Sequence, residues 1–121
     1  MHRGAPVSGV TYRIEVEQDD IPVRGNALAS GDDMLDRETE AEIIRRLNQG
    51  DVWAWATVSV IASCEGFEAR AVIGGCSYAD EADFRAGPYY EDLCDEARVA
   101  LQATIDDAKA RLARAERLLA E

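Results

Sequence analysis

The sequence predicts an α+β fold, a two-layer β-α-β-β-α domain whose three-stranded sheet carries both main helices on one face, the second of them a long C-terminal helix. Three observations predict it. Residues 11–17 and 52–64 alternate apolar and polar side chains with the period of a strand, the second run passes through Glu65-Gly66 into a matching partner, and residues 89–119 contain neither proline nor glycine. With 121 residues, 47% of them hydrophobic, the chain reads as a single domain able to bury roughly two-thirds of its unfolded surface.

Residues 1–10 are expected to be flexible. The first strand then places Tyr12, Ile14 and Val16 inward and Arg13, Glu15 and Glu17 outward. Pro22 and Gly25 make residues 21–26 a loop. A helix follows Ser30-Gly31-Asp32-Asp33, with Ser30 and Asp33 as its capping arrangement and Arg45 and Arg46 near its end. Leu35, Ile43, Ile44 and Leu47 are its expected buried stripe.

The hairpin register follows from its turn. Cys64 faces Phe67, Ala62 faces Ala69, Val60 faces Ala71 and Val58 faces Ile73, which makes one side apolar on both strands. The other side sets Thr57 against Gly74, Ser59 against Val72, Ile61 against Arg70 and Ser63 against Glu68. Gly74-Gly75 ends the hairpin, residues 77–87 form a short acidic connection with one helical turn, and Pro88 opens the final helix. A right-handed β-α-β crossover that skips a place makes the third strand central.

The final helix is too long for its domain. About 31 residues at 1.5 Å each span roughly 46 Å, against a diameter of roughly 30 to 35 Å, so residues 108–121 are expected to overhang. Cys94, Ala97, Leu101, Ile105, Ala108, Leu112, Ala115 and Leu119 form one stripe that continues into the overhang. The expectation is a homodimer through this helix, or its docking on another protein.

Charge sorts the possible partners. The chain has 24 acids and 13 bases, a net charge of −11. Residues 15–51 hold eleven acids and four bases, and residues 80–107 hold nine and two, so each segment carries −7. Residues 108–121 carry four bases and two acids. This excess repels phosphate, which argues against direct binding to nucleic acid or an anionic membrane and favours a protein partner with a basic surface. No apolar run approaches the roughly 18 residues of a membrane span, and residues 1–10 lack the apolar core of a secretion signal. A cytoplasmic setting is expected.

Catalytic chemistry is poorly supplied. The one histidine is His2, and Cys64, Cys76 and Cys94 show no Cys-x-x-Cys spacing. Cys94 lies among Asp92, Asp95 and Glu96, where like charge disfavours a thiolate. No phosphate-binding glycine motif occurs, and neither Asp32, Asp33 and Asp36 nor Asp80, Glu81 and Asp83 has the spacing of a calcium loop. The reading is of a protein that is not an enzyme and uses neither metal nor cofactor.

Binding features stand out more. Trp53 and Trp55 lie two apart in the run read as a strand, hence on one side, the wet side with Thr57 and Ser59. They either anchor a partner or are covered by residues 77–84. Asp32, Asp33, Asp36, Glu40, Asp80, Glu81, Asp83, Asp92, Asp95 and Glu96 are candidates for rows of charge that face a basic groove in the manner of phosphates. The alternative is that they serve solubility alone.

Residues 22–33, PVRGNALASGDD, with Gly50-Asp51-Val52-Trp53-Ala54-Trp55 and the run from Cys76 to Phe84, CSYADEADF, resemble a family of small acidic proteins of bacteriophages and prophages that has no assigned activity. The resemblance covers about residues 12–95 and brings no catalytic motif. It implies an accessory factor that binds host machinery, including inhibitors of CRISPR or restriction complexes, whose nucleic-acid grooves are basic. The alternative function is a structural or assembly protein that self-associates or docks through its long C-terminal helix.

Overall fold

The computed structural model describes residues 9–28 and 30–121. His2 and most of the segment expected to be flexible lie outside the described residues. Val10, the last residue of that segment, is buried in the core. The elements run β1 (Thr11–Gln18), α1 (Asp33–Asn48), a 3-10 turn (Val52–Ala54), β2 (Ala56–Cys64), β3 (Phe67–Cys76), α2 (Glu81–Ala86) and α3 (Tyr90–Leu119). The fold is the expected α+β class, with a three-stranded sheet and a long last helix.

The β2–β3 hairpin has the register that its alternation demands, from Cys64 opposite Phe67 to Val58 opposite Ile73. Glu65 and Gly66 both have positive φ, 50° and 83°, as a tight two-residue turn requires. Val58, Val60, Ala62 and Ala71 meet Leu93, Cys94, Ala97 and Leu101 of α3 in the main core. Small residues on both sides, Ala62, Ala71 and Ala97, let the helix lie close to the strands. Tyr12, Ile14 and Val16 of β1 pack against the same core as expected.

The opposite face is not uniformly wet. Ile61 is 1% exposed there, because its cross-strand neighbours are Arg13 and Arg70, long side chains that cover it with their stems. Arg13 donates to both carboxylate oxygens of Glu68, at 2.7 and 3.2 Å, and Arg70 lies 3.6 Å from Glu15.

Several sequence expectations are corrected. The strand order is β1-β2-β3 with both pairs antiparallel, so β2 rather than the third strand is central. The crossover rule applies to parallel strands, and β1 and β2 are instead the two arms of a wide antiparallel pair. Residues 19–55 form an excursion at its open end, where the Asp19 N–H donates to the Trp55 carbonyl at 3.0 Å. Consequently α1 docks on the 3-10 turn, through Ile43 against Ala54 and Trp55. Its buried stripe is shorter than expected: Ile43 is buried and Ile44 and Leu47 are half-buried, while Leu35 is 46% exposed. The turn meets only the second half of α1. The cap of α1 is Asp32, which accepts from the N–H groups of Met34 and Leu35, rather than Ser30 with Asp33. Pro88 precedes α3, whose cap is Tyr89.

Gly74-Gly75 does not end β3, which continues to Cys76. The pair forms a bulge: Val58 faces Ile73 and Ala56 faces Cys76, so two glycines oppose the single Thr57. Asp19 explains it. This carboxylate is 8% exposed and accepts from the Ile21 N–H at 2.8 Å, the Gly75 N–H at 2.5 Å and the Thr57 hydroxyl at 3.1 Å. A Cβ at Gly74 would stand 2.9 Å from its Oδ2, and Gly75 has φ of +63°. Only glycine at both places lets the strand close around the acid.

The hydrogen bond from Ile21, with those from Gly75 and Thr57, holds the Asp19 carboxyl below its ordinary value against the opposing effect of burial. A depressed carboxylate stabilises the fold fully above its unfolded pKa and loses that contribution as pH falls through the folded value. Asp19→Asn is therefore expected to cost about 2 kcal/mol at neutral pH and to flatten the loss of stability below about pH 4. Gly74→Ala is expected to cost about 1 to 3 kcal/mol through the close approach to Oδ2. Urea denaturation at neutral and acid pH checks both.

Candidate functional site

The sequence expectation set Trp53 and Trp55 on one side of a strand. The structure separates them, because Val52–Ala54 is a 3-10 turn and the strand begins only at Ala56. Asp51 caps this turn by accepting from the Trp53 N–H, and it is itself held by Arg46 Nε at 2.8 Å. Trp53 enters an aromatic cluster with Tyr78 and Phe84, at centroid distances of 6.2 and 6.0 Å. Trp55 packs against Ile43 and donates from its indole nitrogen to the Ile21 carbonyl at 2.7 Å. At 3% exposure Trp55 is no surface anchor, and Trp53 is covered by the connection after β3.

That connection is built around Phe84, which is fully buried between Tyr78 at 5.1 Å and Tyr90 at 6.0 Å. Burial, then the neighbouring Cys76 thiol, pushes the Tyr78 phenol up to about 12. Burial also raises the Cys76 thiol, the opposite of what an activated nucleophile needs. Cys94 is fully buried in the main core.

The acidic candidates divide by the work that the backbone gives them. Asp32 caps α1, Asp36 accepts from the Ser30 hydroxyl at 2.7 Å, and Glu40 is nearly buried and accepts from the Gly25 N–H at 2.7 Å. Asp33, by contrast, is exposed on the first turn of α1. Asp80 and Asp83 cap α2 reciprocally: Asp80 accepts from the Asp83 N–H and Asp83 from the Ala79 N–H, both at 2.9 Å. Each contact uses one oxygen and leaves the charge at the surface. Glu81 pairs with Arg85 at 3.0 Å. Asp92, Asp95 and Glu96 are exposed on the side of α3 that faces away from the sheet.

The second group lies on two helices in contact, α2 and α3, and the first on α1 and its cap. α2 packs on the start of α3, where the Arg85 guanidinium sits 5.0 Å above the Tyr90 ring and donates to its hydroxyl at 2.9 Å. Glu81, Asp83, Asp92, Asp95 and Glu96 are all exposed on these two neighbouring helices. The last turn of α1 reaches the start of the connection after β3, where Arg46 donates to the Tyr78 carbonyl at 2.6 Å. Asp36 lies ten residues back along α1, about 15 Å.

The role of Arg46 was not legible beforehand, since two of its three acceptors lie 32 and 33 residues away and its only sequence signal was its place near a helix end. Among the described residues no group of three or more His, Cys, Asp or Glu side chains is arranged to hold a metal, and no helix is long and apolar enough to cross a membrane. No protein-family model, curated protein or solved structure matches the chain.

The burial of Trp55 and the half-burial of Trp53 have a direct readout. Native protein is expected to give blue-shifted tryptophan emission with weak quenching by iodide, both reverting on unfolding. Emission like that of free tryptophan in the native state would contradict this placement.

Proposed function

We propose that the protein is a non-enzymatic accessory factor that sets the carboxylates of α2 and the first turns of α3 against a basic protein surface. Its partner is a nucleic-acid-handling complex of host defence, of the CRISPR or restriction kind, and its setting is the bacterial cytoplasm. One observation carries the reading: Glu81, Asp83, Glu91, Asp92, Asp95 and Glu96 are all exposed on two helices in mutual contact. Arg85 is the one base from Glu81 to Glu96, and it is already paired with Glu81. Successive turns of a helix repeat these charges at about 5.4 Å, a spacing suited to a groove that normally accepts a phosphate backbone. The resemblance to acidic phage proteins supports the same setting.

Electrostatic binding of this kind weakens with salt and competes with nucleic acid. Reversal of Asp92, Asp95 and Glu96 to lysine is expected to abolish competition with DNA for such a complex. Reversal of Asp33 and Glu38, which leaves the Asp32 cap intact, is expected to change it little. Competition assays at two salt concentrations check both variants. Unchanged competition by the α3 variant would remove the reading.

A further inference from the structure

From Lys109 onward every residue of α3 is exposed, so the helix leaves the sheet after Ala108 and runs on for three turns. Its apolar stripe does not stop there. Leu101 is buried, and Ile105 and Ala108 are half-buried, yet the same stripe continues as Leu112, Ala115 and Leu119, with Leu112 62% and Leu119 86% exposed. From Leu101 the steps are four, three, four, three and four residues, the spacing of a coiled-coil seam.

Steric exclusion fixes the direction in which a second copy's helix can cover this seam. The stripe points to the side that β2 and β3 occupy beside residues 93–105, so a second copy's helix running parallel would bring the two sheets to the same place. An antiparallel helix avoids the collision. The antiparallel register that overlaps the whole overhang without reaching the sheet-covered Leu101 sets Leu112 against Ala115 and Leu119 against Ala108, each twice, a large residue opposite a small one in all four layers. It also brings Lys109 beside Glu116 of the second copy, again twice.

Net charge agrees with this direction. Residues 1–107 hold 22 acids and nine bases, −13, and residues 108–121 hold two acids and four bases, +2. Antiparallel overhangs keep the two acidic bodies at opposite ends and lay each basic tail toward the other's body. We propose that residues 108–119 form an antiparallel two-helix contact with a second copy of the chain, with Leu-on-Ala layers flanked by two Lys109–Glu116 ion pairs. The contact uses no residue of the α2 surface, so it stands or falls independently of the proposed function.

Sedimentation equilibrium of the full chain over a wide concentration range tests it. A reversible dimer is expected, with Leu112→Glu monomeric at every concentration and unchanged in far-ultraviolet circular dichroism. Lys109→Glu turns both ion pairs into repulsions and is expected to weaken the dimer about tenfold. The double variant Lys109→Glu with Glu116→Lys restores it, because the pairs re-form with their signs exchanged. A wild-type monomer at all concentrations overturns the proposal. So does a dimer that the double variant fails to restore, since positions 109 and 116 would then not face each other across the contact.

Discussion

A single buried carboxylate sets the geometry on which the rest of the structure depends. Asp19 sits where β1 ends and collects a backbone donor from its own loop, a hydroxyl from β2 and a backbone donor from β3. An ionised carboxylate is tolerated at 8% exposure because three donors replace its water. The cost falls on β3, which must bulge through Gly74-Gly75 to present the Gly75 N–H. That bulge directs the chain after Cys76 across the end of the sheet, where Tyr78 donates its N–H to the Trp53 carbonyl and α2 buries Phe84. The position of the acidic α2 surface therefore traces back to one side chain about sixty residues earlier.

How much of this was legible in the sequence differs by element. The hairpin register was readable residue by residue, since a slip of one position would have exposed Val58, Val60 and Ala62 together. The helices were readable from their punctuation and periodicity. Asp19 was not, because in sequence it is one of two adjacent acids before Ile21-Pro22, and two of its donors lie 38 and 56 residues away. The glycine pair announced an irregularity without saying which kind. Trp53 and Trp55 misled because a short 3-10 turn keeps a two-residue repeat in the sequence while rotating one indole out of the strand's alternation. The α1 acids misled in another way: composition counts Glu40 as surface charge, whereas the fold buries it against the Gly25 N–H, while Asp32 and Asp36 each give one oxygen to local donors.

The candidate surface is thus narrower than the net charge suggests. Of the two segments carrying −7, the one on α2 and α3 keeps its acids exposed, and the other loses Asp19 and Glu40 to the interior. The same helix that carries the acids at its start ends in a basic overhang with bare leucines. The two proposed interactions, one electrostatic and one apolar, are therefore separated along one helix of 30 residues. Their separation means that either can be altered without disturbing the core, whose α3 residues lie between Leu93 and Leu101.

The central claim is that the α2 and early α3 carboxylates form the partner-facing surface. Amide hydrogen exchange of the chain, with and without a nucleic-acid-free CRISPR or restriction complex, tests it most directly. Slowed exchange is expected over residues 81–96, with residues 33–38 and the Arg13–Glu68 face of the sheet unchanged. Slowed exchange confined to α1 or to that sheet face, with residues 81–96 unaffected, would contradict the account.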